Sequence, residues 1–138
     1  MPPLLETAGF NLALRDYFEQ LSASSGKRFE LDMNLADTLV SDAVSYELFR
    51  VVQELTSNML KYGAITTCIA RLTYTPRGTC LELIDDGLSF DFKTAYKQTK
   101  GAGLQNIQSR LKSIAAELEQ DTIATGNHFK IYLDPTYD

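Results

Sequence analysis

The sequence predicts an α+β domain: a two-layer α/β sandwich with a mixed, mostly antiparallel sheet packed on helices. Three observations carry this. Asp42 to Tyr62 is a long amphipathic helix. Ile65–Tyr74 and Cys80–Asp85 are strand-like runs joined by TPRG, which reads as a hairpin. GAG at 101–103 opens a further helix, followed by two more short strands.

Taken in order, Pro2 and Pro3 precede LLETAGFNLALRDYFEQL, whose apolar Leu12, Leu14, Phe18 and Leu21 predict a helix over Leu12–Leu21, closed by SSGK. In KRFELDMN the residues Phe29, Leu31 and Met33 alternate with polar ones, as in a half-buried strand. Ser41 or Asp42 can cap the long helix and Gly63 can end it. Its apolar stripe is Val44, Leu48, Val51, Val52, Leu55 and Met59. Asp86–Lys100 is polar, lysine-bearing and unpatterned, hence a loop. The helix after GAG carries Leu104, Ile107, Leu111 and Ile114, and Leu118 would extend the same stripe. A strand near Leu118–Ala124, a turn at Thr125–Asn127 and a last strand with Phe129, Ile131 and Leu133 complete the domain, and DPTYD reads as a frayed tail.

At 138 residues the chain has the size of one domain that can bury a core without disulfides or metal. Apolar residues make up 44% and charged residues 22%, a globular rather than a disordered balance. The net charge of −5 argues against generic nucleic-acid binding, which leans on basic patches. No apolar run approaches the roughly 20 residues of a membrane helix, and no signal peptide is apparent. Cys68 and Cys80 lie in apolar strand-like runs and read as buried free thiols. With His128 they make no zinc pattern.

Three polar stretches interrupt this framework. In ELTSNMLKY, Glu54, Asn58 and Lys61 fall within about 60° on the long helix, beside the apolar stripe. An amide oxygen can hold Mg²⁺, an ammonium can meet phosphate and a carboxylate can take a proton, although such a stripe is also an ordinary solvated face. In GAGLQNIQSR a glycine pair directly before a helix exposes N–H groups at the positive end of the dipole, which suits phosphate or a plain loop-to-helix junction. In DDGLS the hairpin register decides. If Tyr74 pairs with Thr79, then Leu72 faces Leu81, Ala70 faces Leu83 and Cys68 faces Asp85, all on one face. Arg71 meets Glu82 on the other. Asp85 then points inward and Asp86 outward. An inward carboxylate needs a partner: a ligand amino group, a water or a backbone N–H.

The order ELTSNMLKY, DDGLS, GAGLQNI resembles the N, G1 and G2 boxes of the GHKL ATPase superfamily. The resemblance is closest to sensor histidine kinases. ELFRVVQELTSNMLKYG is similar to their RxxQExxxNxxKH helix. GAGLQNIQSRL is similar to the GxGLxNIxxR of the subfamily that signals to NarL-type regulators. It covers nearly the whole chain and implies the Bergerat fold. Residues 1–25 would be the end of the dimerisation-domain connection and the first helix, and residues 26–138 the ATP-binding catalytic domain.

The implied activity is that of a protein histidine kinase. The domain would bind Mg–ATP and pass the γ-phosphoryl group to a histidine on a separate dimerisation domain, upstream of a NarL-type response regulator. Carried over, Asn58 would hold Mg²⁺, Glu54 would activate or orient the attacking group, and Lys61 and Tyr62 would lie near the phosphates. Asp85 would take the adenine amino group and Gly87 would let the backbone pass the base. Gly101 and Gly103, with the Leu104 amide, would cradle phosphate. Phe90–Lys100 would form a short lid whose Lys93, Lys97 and Lys100 are read as solvated.

The sequence departs from the family at Ser89, in place of the second glycine of DxGxG, at Tyr62, where histidine is usual, and at Asn127, where threonine follows the late glycine. His128, at the start of the last strand, is not the phosphoacceptor. The chain reads as an excised cytoplasmic catalytic domain of a parent that can be membrane-anchored. The alternatives are a serine kinase of the anti-sigma-factor type and a degenerate, non-catalytic GHKL interaction domain.

Overall fold

The computed structural model describes residues 9–33, 41–89, 91–92, 102–123 and 125–133. The elements run α1 (Phe10–Ser25), β1 (Arg28–Met33), α2 (Asp42–Tyr62), β2 (Thr67–Thr75), β3 (Gly78–Asp85), α3 (Ala102–Ser113), β4 (Glu117–Thr122) and β5 (Asn127–Tyr132). The strands form one sheet in the order β1-β2-β3-β5-β4. β1 and β2 are parallel, which requires a crossover, and α2 lies in that connection. The remaining pairs are antiparallel.

The hairpin register is the predicted one. Tyr74 pairs with Thr79, Leu72 with Leu81, Ala70 with Leu83 and Cys68 with Asp85. Continued across the sheet, it sets three rows on the helix-facing side: Leu72–Leu81–Ile131–Leu118, then Ala70–Leu83–Phe129–Gln120, then Cys68–Asp85–Asn127. The first row is apolar. Polarity enters at Gln120 and dominates the third row, so an otherwise oily face has one polar corner. On the opposite side Arg71 pairs with Asp32 at 3.2 Å and approaches Glu82 at 3.9 Å.

α2 has the predicted bounds. The Ser41 hydroxyl accepts from the Val44 amide at 3.4 Å, and all six residues of the predicted stripe are buried. Gly63 ends the helix in a right-handed conformation, and the left-handed residue is Ala64 (φ 51°). α1 is longer than predicted and is rotated relative to the predicted stripe. Phe10, Leu14 and Phe18, four apart, face the core, whereas Leu12 is exposed. A Gly26 in the left-handed region (φ 73°) closes it, its N–H donating to Ser22 O at 3.1 Å. Tyr17 Oη and Thr56 Oγ1 hydrogen-bond at 2.8 Å and pin α1 to α2. Arg110 of α3 ion-pairs with Glu47 of α2 at 3.1 Å.

β2 starts two residues later than predicted because the Thr66 and Thr67 amides are taken by the Asp86 carboxylate, at 2.8 and 2.9 Å. The polar reading of Asp86–Lys100 needs a correction at Phe92. This residue is buried and packs edge-on against Phe129, with ring centroids 6.4 Å apart. Two apolar positions expected of the helix lie past the end of α3: Ile114, still buried, and Leu118, which belongs to β4 instead. Both cysteines are free and buried.

Candidate functional site

The polar corner is built where β3 ends. Asp85 is 3% exposed and Asn127 2% exposed, side by side in the third row. The Gly87 amide donates to Asp85 Oδ1 at 2.9 Å. Asn127 Nδ2 donates to Asp85 Oδ1 at 3.3 Å and to the Leu88 carbonyl at 2.9 Å, and lies 3.5 Å from Asp85 Oδ2. The stronger contacts therefore gather on Oδ1. Burial pushes the Asp85 carboxyl above its ordinary range, with the Gly87 and Asn127 donors pulling the other way. Desolvation also acts on Asp86, but the bonds from Thr66 and Thr67 outweigh it and hold that carboxyl low. The two adjacent aspartates thus have opposite environments, as the register argument predicts.

The turn after β3 is clamped to the end of α2. Leu88 N–H donates to the Gly63 carbonyl at 2.6 Å. A Cβ on Gly87 would sit 2.2 Å from that carbonyl oxygen and 2.6 Å from Ile65 Cγ2, so only glycine fits. On the other side, Gly126 (φ 108°) lies against the Asp85 carbonyl, where a Cβ would sit 1.9 Å away. The Ser89 hydroxyl donates to the Gly126 carbonyl at 2.7 Å and accepts from the Gly126 amide at 3.2 Å. Ser89 thus latches the turn after β3 to the turn before β5.

These bonds bring Asp85, Gly87 and Ser89 together with the C-terminal end of α2, the helix that carries Glu54, Asn58, Lys61 and Tyr62. Glu54 and Asn58 are half-buried, Lys61 is exposed, and Tyr62 is 74% exposed, a large aromatic left in solvent. Gly103 and Leu104 lie in the first turn of α3. Gly101, the Phe90 position and Lys93, Lys97 and Lys100 lie outside the described residues. His128 sits on the outer sheet face with Nε2 2.8 Å from Glu82 Oε1. Two participants were not among the sequence candidates. Asn127 stood out only as a departure from a motif. Gln120 carried one weak signal: a polar side chain sharing the face of Leu118.

The fold is that of histidine kinase domains. Over 93% of its length the chain superposes on the Erythrobacter litoralis EL346 blue-light activated histidine kinase with a TM-score of 0.75 at 14% identity. The histidine kinase domain of the same protein gives 0.76 at 14% identity, again over 93% of the chain. The Acinetobacter baumannii histidine kinase AdeS gives 0.69 at 14% identity over 91%. The chain spans 46%, 62% and 62% of those solved chains, respectively, so it is about half to two-thirds of each. No family model matches the sequence. At this identity the likeness is one of fold.

Proposed function

We propose that this chain is the ATP-binding catalytic domain of a sensor histidine kinase, of the GHKL type and nearest the subfamily that signals to NarL-type regulators. The observation that carries the reading is Asp85. It is a buried carboxylate at a strand end, its donors crowded onto Oδ1, beside a glycine that no side chain can replace. An acceptor kept buried against its desolvation cost is a recognition group rather than a stabilising one.

The residues present fit a purine nucleotide with Mg²⁺. Asp85 has an oxygen for an exocyclic amino group, and Gly87, whose turn packs on the Gly63 carbonyl and Ile65, would let the backbone pass beside the base. Asn58, half-buried on α2, would hold Mg²⁺ through its amide oxygen. The N–H groups at the start of α3 around Gly103 and Leu104, with Gly101, would meet phosphate, as would Lys61. Tyr62 would lie at the rim. Glu54, four residues before Asn58, would orient the attacking group. Bound Mg–ATP supplies the phosphoryl group and the charge neutralisation for its transfer. The chain's own part is positioning.

The acceptor histidine would lie on a separate dimerisation domain of the parent, with a response regulator downstream. His128 is engaged with Glu82 on the outer sheet face, which is no place for an acceptor. Calorimetric titration with ADP and ATP, with and without Mg²⁺, tests the reading. Binding weakened by Asp85→Asn in every condition, and by Asn58→Ala only where Mg²⁺ is present, is the expected pattern. No binding at millimolar nucleotide sinks the proposal.

A further inference from the structure

The backbone ladder between β3 and β5 ends at the pair Asp85–Asn127. Beyond it the chain bends toward β2, where Asp86 engages Thr66 and Thr67. Two side chains carry the pairing with the β5 side onward. Asn127 Nδ2 donates to the Leu88 carbonyl at 2.9 Å. Ser89 Oγ takes both polar groups of Gly126, donating to its carbonyl at 2.7 Å and accepting from its amide at 3.2 Å. Leu88 and Ser89 of one turn thus grip Asn127 and Gly126 at the other.

The grip on Gly126 has no substitute. Gly126 is buried, and among the described residues Ser89 is the partner of both its N–H and its C=O. Buried backbone groups need such partners. Position 126 cannot be stiffened by a side chain of its own, because φ is 108° and a Cβ would sit 1.9 Å from the Asp85 carbonyl oxygen. Position 89 can carry one, since its φ is not positive. The Ser89 hydroxyl has a single proton. The Ile123 carbonyl, at 3.3 Å, is the longer alternative acceptor for it and belongs to the same β4–β5 connection. Either choice ties Ser89 to that connection.

We propose that Ser89 is a positioning residue of the nucleotide site: its clasp on Gly126 sets the turn that carries Gly87 and Leu88 before a ligand arrives, so that binding need not order it. This rests on the nucleotide reading above. Gly126 lies on the Asp85 carbonyl and leads into Asn127, the donor to the Asp85 carboxylate. The clasp therefore acts on the residue proposed to take the base, through backbone. A turn that must be ordered by its ligand lowers affinity, and one ordered in advance does not. Without the hydroxyl, Asn127 and Leu88 keep their bonds. What is lost is the restraint on Gly126, a residue with the conformational freedom to use the slack.

The test uses the full chain and ADP. Ser89→Ala removes the hydroxyl and keeps the Cβ, whereas Ser89→Thr keeps both. Measured by calorimetry far below the unfolding midpoint, Ser89→Ala is expected to lose roughly three- to ten-fold in ADP affinity, the worth of one hydrogen bond, and Ser89→Thr to stay within about two-fold of wild type. Hydrogen exchange should find the wild-type Gly126 amide protected without nucleotide, and faster to exchange in Ser89→Ala. A Ser89→Ala chain that is less stable yet binds ADP like wild type leaves the clasp a structural bond and overturns the proposal. A Ser89→Thr chain that binds no better than Ser89→Ala overturns it too. So does a wild-type Gly126 amide protected only once ADP is bound, a result that needs no variant. A wild-type chain that does not bind ADP takes down the nucleotide reading and the positioning role together.

Discussion

The Leu88 amide donates to the Gly63 carbonyl at 2.6 Å, tying the turn that follows β3 to the last residue of α2's cap. Two segments distant in sequence thereby share one backbone contact, and Gly87 lies inside it.

Gly87→Ala should therefore be costly. Its Cβ would meet backbone oxygen and the Ile65 side chain, and backbone cannot swing aside. An overpacking penalty of about 1–3 kcal/mol is expected. Denaturant unfolding should show a lowered midpoint at unchanged slope, with nucleotide affinity reduced as well. A variant as stable as wild type would mean that the turn is looser than this contact requires.

Asp85→Asn should separate stability from binding. Burial raises the Asp85 carboxyl, so its contribution to stability is full below the unfolded value near 3.9 and is lost as pH rises through the raised folded value. At neutral pH the ionised group is a burden that the neutral amide removes. The melting temperature of Asp85→Asn at pH 7.5 is expected to equal or exceed that of wild type, while the ADP-induced rise disappears. A large drop in melting temperature would contradict this assignment.

Asp86 has the opposite sign. Its carboxylate accepts from the Thr66 and Thr67 amides and from the Thr66 hydroxyl, and its folded value is held below the unfolded one. That stability is present above the unfolded value and lost as pH falls through the lowered folded value. Since the group is exposed, Asp86→Ala should cost about 1 kcal/mol at neutral pH. The gap from wild type should close as urea midpoints are followed from about pH 5 to about pH 2.5. A gap independent of pH would assign the effect to backbone conformation instead.

The two thiols should be silent in the native state. Burial pushes Cys68 far up, with the Asp85 and Asp86 charges adding, and pushes Cys80 up to about 11. The thiolate is the reactive form. A thiol reagent at pH 8 is expected to label neither cysteine until denaturant unfolds the chain, and then both. Rapid labelling of folded protein would refute the burial.

Much of the framework was legible because it depends on period and on turn chemistry. Alternation along β2 and β3, with a short TPRG connection, dictated the register, and the register dictated that Asp85 faces inward and Asp86 outward. The 3.6-residue stripe of α2 and its Ser41 cap gave that helix its bounds. The stripe of α1 was less clear, since Phe10 and Leu12 are both apolar and only packing on β1 and α2 decides which is buried. Phe92 sits in a polar stretch, and nothing local marks it as a partner for Phe129.

What the sequence by itself determined is the set of elements, the face on which each residue of α2, β2 and β3 lies, and the three polar stretches that interrupt the core. What only the tertiary structure decided is the company those residues keep. The clamp of Gly63 on Leu88, the latch of Ser89 on Gly126 and the bonds from Phe92 to Gln120 and from Asn127 to Asp85 join residues 25 to 42 positions apart. Periodicity fixes a side chain's direction relative to its own strand or helix. Hydrogen bonds between elements depend on how those elements pack, and that is a property of the whole fold.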